Sequence, residues 1–245
     1  MNNTEMFTHK ADLYSKYRQG YSNKLIQYIY SNIDIGSNSY VADIGSGTGM
    51  FSELLLKQDS MVFAVEPNDS MRSIAELNLS KYYNFHSIKA AGENTLLPQN
   101  SIDFITVVQA FHWLDTESFK VECKRILKKG GKVIVIYNRK KKESEVNLKL
   151  AELIKKYYPN HKDIINHWEQ REYSIKKFFD NVFEFIEFEN NIVNNLQEFI
   201  GRTLSHSFFQ NDEGFIAGLK EIFSVFSKNN NIVVPNDTIA YIGTV

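Results

Sequence analysis

Cysteine is almost missing from this chain: Cys123 is the one thiol in 245 residues. A single thiol cannot close an intramolecular disulfide or build a cysteine metal cluster, and its helical surroundings assign it to the core or its edge. The histidines show no metal-ligand spacing with one another or with Cys123, so no metal site is expected. No apolar run approaches a membrane-spanning length, and the polar start MNNTEMFTHK is no signal peptide. The chain reads as cytoplasmic, with no membrane partner. Charge of one sign is lacking too. A formal net charge of -1 gives no general attraction to nucleic acid or anionic lipid. The run Arg139 to Lys142 is the one basic patch, and it reads as a solvated loop after a strand. Internal repeats and low-complexity linkers are also absent, which leaves no boundary between separate domains. The hydrophobic fraction of 43% and charged fraction of 23% are ordinary for a globular protein with a sizeable core.

What is present is an alternation. Lys24 to Ile33 is an amphipathic helix. Tyr40 to Ile44 reads as a strand and Met50 to Gln58 as a helix; Met61 to Val65 and Ser70 to Asn78 repeat the pair. Asn84 to Lys89, Ile102 to Val108 and Lys132 to Tyr137 are the next strands. Glu117 to Leu127 is a helix that Gly130-Gly131 stops. Such alternation builds a parallel sheet with helices on both faces, and right-handed crossovers gather the strands' C-terminal ends on one ligand-binding edge. After Tyr137 the pattern changes. Ser144 to Tyr158 and His161 to Phe179 read as helices, Phe183 to Val193 as a long strand, and Asn194 to Phe199 as the opening of a helix. Gly214 to Ser227 is another helix and Thr238 to Val245 a closing strand.

The segment VADIGSGTGMFSELL, Val41 to Leu55, runs from the first strand into a helix, with Gly45, Gly47 and Gly49 following Asp43. Glycines there let backbone approach a ligand closely and aim free N–H groups at it. Dinucleotide-binding enzymes use a related turn spaced G-x-G-x-x-G, whereas this one is G-x-G-x-G. Glu66 ends the strand MVFAVE, where an acid can accept both hydroxyls of a ribose lying over the turn. His112 follows the fourth strand at the same edge, where a neutral imidazole could take a proton from a hydroxyl or amine. Ser46 and Ser52 lack the histidine–acid context of a nucleophile.

These residues do not stand alone. Ala90 to Asp115 reads AAGENTLLPQNSIDFITVVQAFHWLD, Arg125 to Gly131 reads RILKKGG, and Phe7 to Tyr21 reads FTHKADLYSKYRQGY. Together they resemble the class I AdoMet-dependent methyltransferases, and within them the trans-aconitate methyltransferase-like group of small-molecule enzymes. Lys129 and Gln19 stand where that group usually has proline.

The resemblance implies an α/β fold: a seven-stranded, mostly parallel Rossmann-like sheet with an antiparallel C-terminal hairpin and a helical cap insertion. Phe183 to Val193 and Thr238 to Val245 would form the hairpin. The implied organisation is a single domain, 1–245, with an AdoMet-binding core over 1–139, the cap over 140–180 and C-terminal strands and helices over 181–245. The implied cofactor is S-adenosyl-L-methionine, released as S-adenosyl-L-homocysteine. Its methionine end would meet Tyr14, Arg18, Asp43, Gly45, Ser46, Gly47 and Gly49. Glu66, Pro67 and Met71 would hold the ribose side, and Gly92, Glu93 and Asn94 the adenine. Gln109, Ala110 and Phe111 would flank the methyl group, with Gln109 and His112 as catalytic candidates. Trp113, Arg202 and Ser205, with Ser207 beside them, would face a small-molecule acceptor. Two roles for His112 stay open: a base, or part of an apolar wall with Phe111 and Trp113 that orients the acceptor. Acceptor-pocket residues would come from Tyr157, Trp168, Tyr173, Phe178 and Phe179. An NAD(P)-binding oxidoreductase and a non-catalytic AdoMet-binding protein are the rival readings; the charge argues against an RNA-directed enzyme.

Overall fold

The structure is a computed structural model, and it describes residues 20–33, 35–159, 167–205, 209 and 212–245. Helix α1 (Asn23–Asn32) precedes β1 (Tyr40–Ile44), α2 (Met50–Leu56), β2 (Met61–Val65), α3 (Asp69–Leu79) and β3 (Phe85–Ile88). Strand β4 (Ile102–Val108), a 3-10 turn (Phe111–Trp113), α4 (Thr116–Ile126) and β5 (Leu127–Lys140) follow. Then come α5 (Glu145–Tyr157), α6 (His167–Phe178), β6 (Glu184–Glu189), β7 (Ile192–Asn194) and α7 (Leu196–Leu204). Helix α8 (Glu213–Phe226), β8 (Ile232–Val234) and β9 (Asn236–Gly243) complete the described elements.

Seven strands form one sheet in the order β3-β2-β1-β4-β5-β9-β6. Strands β1 to β5 run parallel, and β9 lies antiparallel between β5 and β6. This is the expected seven-stranded class I methyltransferase sheet. Side chains alternate along each strand, so the sheet buries both faces. In β5, Val133, Val135 and Tyr137 enter the core shared with Phe119 of α4 and Ile175 and Phe178 of α6. Ile134 and Ile136 enter the opposite core, with Leu25 and Ile29 of α1, Phe51 and Leu55 of α2, and Ala75 of α3.

Three details depart from the sequence reading. The strand expected over Phe183 to Val193 breaks after Glu189. Asn190 N–H donates to the Asn236 carbonyl at 2.8 Å, and the Asn191 side-chain oxygen accepts from Asn236 N–H at 3.2 Å. These bonds turn the chain, so β6 stays in the large sheet while β7 pairs with β8. The antiparallel pair at the sheet's end is therefore β6 with β9, joined through two helices. Second, Gly130-Gly131 does not stop a helix. Leu127 is already extended (φ -67, ψ 137), and the glycines lie inside β5 beside the register shift between Ile102 and Phe104. A Cβ on Gly131 would sit 2.9 Å from the Asp103 carbonyl, so the pair serves a bulge. Third, the helices of residues 140–180 serve two cores. Helix α6 covers the sheet, whereas Val146, Leu150 and Ile154 of α5 pack with α7, α8, β7 and β8 in a third core.

Candidate active site

At the C-terminal ends of β1 and β4, Tyr21, Asp43, Gly45, Ser46, Gly47, Thr48, Met50, Phe51 and Val108 enclose one cleft. The three glycines of the turn all have positive φ, at 65°, 58° and 81°, and each is needed for a different reason. A Cβ on Gly45 would come within 2.6 Å of the Ala110 Cβ, so Gly45 lets the turn touch the end of β4. A Cβ on Gly49 would strike Leu79 of α3 at 2.5 Å. Gly47 meets nothing within 4 Å and faces open space. That space is where a ligand fits.

The turn's N–H groups are mostly engaged within the protein. Gly45 and Ser46 donate to the Val65 carbonyl at 2.9 and 3.2 Å, and Gly49 donates to the Ser46 carbonyl at 3.0 Å. Gly47 N–H donates to Glu66 Oε2 at 2.9 Å. Such a turn has few backbone donors left for a pyrophosphate. What it retains is a pair of hydroxyls, Ser46 Oγ and Thr48 Oγ1, both buried and without a partner. Buried polar atoms left unpaired are rare, and two together beside an open glycine mark a place for a polar ligand. The methionine end of AdoMet fits: it brings both acceptors and donors, and no phosphate.

Two carboxylates brace this turn. Glu66 spans it from below, accepting from Gly47 N–H through Oε2 and from Asn68 N–H at 2.8 Å through Oε1. Each oxygen keeps a second lone pair for a ribose hydroxyl. Burial raises the Glu66 pKa, against the two N–H bonds that favour its charged form. Asp43 is 1% exposed. Its Oδ2 accepts from Ser52 Oγ at 2.6 Å and its Oδ1 from Thr106 Oγ1 at 2.9 Å, tying β1 to α2 and β4. Burial pushes its pKa up to about 6, although both hydroxyls oppose the rise. Asp43 thus lines the cleft floor as a brace whose hydrogen bonds are internal.

The described chain enters the site at Tyr21, held there by a clamp on three strand ends. Asn138 and Asn190 both donate side-chain N–H to the Gly20 carbonyl, at 3.1 and 3.0 Å, and Ser22 N–H donates to Thr238 Oγ1 at 3.1 Å. The Tyr21 ring meets Phe51 edge-on, centroids 5.4 Å apart. Tyr14 and Arg18 lie outside the described residues. Tyr21 and Thr48 are the residues that sequence reasoning passed over. The available signals were a last tyrosine in the N-terminal run and a hydroxyl alternating with the glycines.

The other expected residues fall into distinct places. Met71 is buried in the first turn of α3, its N–H donating to the capping Asn68 side chain at 3.0 Å, while Pro67 is exposed. Gly92 packs so closely that a Cβ would meet Ile44 and Leu114 at 2.7 Å. Glu93 accepts from Asp115 N–H at 2.8 Å, linking the turn after β3 to the cap of α4, and Asn94 N–H donates to the Ala91 carbonyl at 3.1 Å. Gln109 ends β4 with a positive φ of 59°, a strained position for a residue with a side chain. Ala110 abuts Gly45. Phe111 points into the core, where its ring meets Phe178 at 5.1 Å and Phe119 at 6.4 Å. His112 and Trp113 remain at the edge, ring centroids 4.6 Å apart. Of the aromatics expected to line an acceptor pocket, Trp168 reaches this corner, 5.4 Å from the Tyr137 ring. Phe178 and Phe179 are core, Tyr173 is exposed, and Tyr157 packs on Phe215 of the third core.

Arg202 and Ser205 belong to α7 and its C-cap, and the Ser205 hydroxyl donates to the Arg202 carbonyl at 2.7 Å. Ser207 lies outside the described residues. The basic run is not a free patch. Arg139 pairs with Glu187 at 2.5 Å, Lys141 with Asp237 at 3.2 Å, and Lys142 with Glu169 at 3.7 Å. Among the described residues no group of three or more His, Cys, Asp or Glu side chains could hold a metal, and no helix is long and apolar enough to cross a membrane.

A family profile for a methyltransferase domain matches residues 42–135, from β1 into β5. A candidate methyltransferase of Dictyostelium discoideum is 33% identical over 122 residues, 50% of this chain and 44% of that protein. An uncharacterised methyltransferase of Mycobacterium tuberculosis is 29% identical over 114 residues, 46% of each chain. The match thus spans about half the length of these relatives. Among solved structures, a candidate type II methyltransferase from Anaeromyxobacter dehalogenans superposes with a TM-score of 0.67 at 18% identity, covering 93% of this chain and 96% of that one. Phosphoethanolamine N-methyltransferase 2 of Haemonchus contortus, solved with S-adenosyl-L-methionine, gives 0.54 at 18% identity over 99% of this chain and 57% of that one. At such identity the structural likeness carries the fold. The matched span, the sheet order and the glycine turn agree: residues 42–135 of this chain are an S-adenosylmethionine-dependent methyltransferase domain of the class I fold.

Proposed function

We propose that the whole protein transfers the methyl group of AdoMet to a small-molecule acceptor by direct displacement. The observation that carries this reading is the cradle beside Gly47, where two buried hydroxyls lack partners and no Cβ fills the space. Ser46 and Thr48 would bind the methionine end, and Glu66 the ribose hydroxyls through its remaining lone pairs. Pro67 and Met71 would lie on the ribose side, and Gly92, Glu93 and Asn94 would border the adenine. Gln109 and Ala110 would border the reacting centre. Bound AdoMet supplies a methyl carbon activated by a positive sulfonium. The chain's own part is alignment and exclusion of water, which can supply much of such a barrier.

The corner of His112, Trp113, Tyr137 and Trp168 is the acceptor side in this reading. Its aromatic character suits a small molecule. The pairing of Arg139, Lys141 and Lys142 with carboxylates weighs against this run as a stripe for a nucleic acid.

Calorimetry on the full chain tests the first half. AdoMet and S-adenosyl-L-homocysteine should bind and NAD(H) should not; preference for NAD(H) would return the dinucleotide reading. Labelled AdoMet with a panel of small carboxylates, alcohols and amines tests the second half. Tight AdoMet binding without transfer to any of them would favour a non-catalytic binding protein.

A further inference from the structure

Residues 20–22 lie before α1 and belong to no helix or strand, so where Tyr21 stands depends on what grips the residues beside it. On one side, the Gly20 carbonyl accepts from Asn138 Nδ2 at 3.1 Å and from Asn190 Nδ2 at 3.0 Å. On the other, Ser22 N–H donates to Thr238 Oγ1 at 3.1 Å, and the Ser22 hydroxyl donates to the Glu189 carbonyl at 3.3 Å. The gripping residues stand 118 to 216 positions away in sequence.

These side chains also hold one another. Asn138 of β5 and Thr238 of β9 are cross-strand partners. Thr238 O–H donates to Asn138 Oδ1 at 2.6 Å, which turns the Nδ2 of that amide toward Gly20. Asn190 Nδ2 lies 2.9 Å from Thr238 Oγ1 and 3.2 Å from Asn138 Oδ1. Along β5, Asn138 continues the row of Ile134 and Ile136; along β9, Thr238 continues that of Ala240 and Ile242. Both rows pack in the core of α1 and α2. An apolar pair would extend that core, whereas an amide and a hydroxyl end it with groups that can grip backbone.

Tyr21 is what the grip serves. Its ring packs on Phe51, and it lines one cleft with Ser46, Gly47 and Thr48.

We infer that Asn138, Asn190 and Thr238 are positioning residues for AdoMet, which hold Tyr21 in the cleft wall so that its ring packs on the bound cofactor. They act through Gly20 and Ser22 and touch no cofactor themselves. The inference rests on the proposed placing of AdoMet beside Gly47. Because the chain at Tyr21 is gripped before the cofactor arrives, binding does not have to order it. All three residues lie outside the matched span 42–135. The cofactor affinity of that domain then depends on β9 and on the link after β6.

The test is a double-mutant cycle on the full chain, with AdoMet affinity read by calorimetry. Thr238→Val keeps the shape of a buried side chain but leaves Ser22 N–H without its acceptor. It should weaken AdoMet binding by about tenfold, and Thr238→Ser, which keeps the hydroxyl, should bind as the wild type does. Tyr21→Ala should weaken binding too, and in that background Thr238→Val should have no further effect. Unchanged affinity in Thr238→Val, or the same loss in the Tyr21→Ala background, would overturn the inference and leave the grip as support for the fold alone. Asn138→Ala, at the partly exposed end of β5, takes the place of Thr238→Val in the cycle if that variant does not fold. A wild type that binds no AdoMet would defeat the proposed function and this role together; wild-type binding with an additive cycle would defeat this role only.

Discussion

Replacing Asp43 by asparagine isolates the cost of a charge buried under the glycine turn. The carboxyl is wholly buried, and its pKa rises from the usual 3.8 to about 6. A folded-state value above the unfolded one means that the folded chain binds the proton more tightly. The Asp43 contribution is then fully present below pH 3.8 and is lost as pH rises through 6. The whole difference is about 3 kcal/mol. An amide at this position has no such titration, and the Ser52 and Thr106 hydroxyls can rotate to suit it. The assay is urea unfolding of the ligand-free wild type and Asp43→Asn at steps from pH 4 to 8. Subtracting the variant removes the titration of every other group. The wild-type advantage should fall by roughly 3 kcal/mol between about pH 4 and 7 and then level off. A difference that stays flat, or that grows with pH, would refute the burial argument and mean that the two hydroxyls outweigh desolvation.

Four further substitutions concern the same half of the molecule. Gly45→Ala must place a Cβ 2.6 Å from that of Ala110 at a φ of 65°, which should cost about 2–4 kcal/mol. Gly47→Ala meets no atom and should cost about 1–2 kcal/mol, yet weaken AdoMet binding. Thermal melts that rank the two the other way would contradict the contact geometry. Glu66→Ala removes the acceptors for two ribose hydroxyls and should weaken AdoMet binding by about 2 kcal/mol, measured by calorimetry; unchanged affinity removes Glu66 from the site. Glu122 accepts from Thr95 N–H and Oγ1 at 2.8 and 2.6 Å and from Arg125 Nε at 2.7 Å. Glu122→Ala should therefore destabilise the fold by roughly 2–4 kcal/mol, and a loss under about 1 kcal/mol in urea titration would show those donors finding water instead.

The parallel half of the fold was legible because its strands are short apolar runs separated by amphipathic helices of a different period. The 3.6-residue repeat of Leu25, Ile29 and Ile33 and the unbroken VFAV of β2 need no partner to be recognised. What the chain does beyond β5 depends on partners that a local pattern does not name. Helices α5 and α6 are both amphipathic, but no periodicity tells which faces the sheet and which faces α8. The break at Asn190 rests on bonds to Asn236, far along the chain. Within the site, the glycine spacing announced a ligand turn. It did not reveal that Glu66 and Val65 occupy the turn's N–H groups, leaving the hydroxyls of Ser46 and Thr48. Nor could it pair His112 with Tyr137, since that contact exists only because Val108 of β4 lies in register with Ile136 of β5.

The position of β9 has a consequence for how the chain is made. Strand β6 is synthesised well before β9 but has no other neighbour in the sheet. Until β9 arrives, β5 also presents an open edge, with its Val133 to Ile136 run unshielded on that side. The nascent protein must therefore carry two unpaired strand edges while α7 and α8 are still emerging, a state prone to pair with other chains. Closure then comes from one strand entering between two waiting ones, a long-range step that loop-closure entropy makes slow.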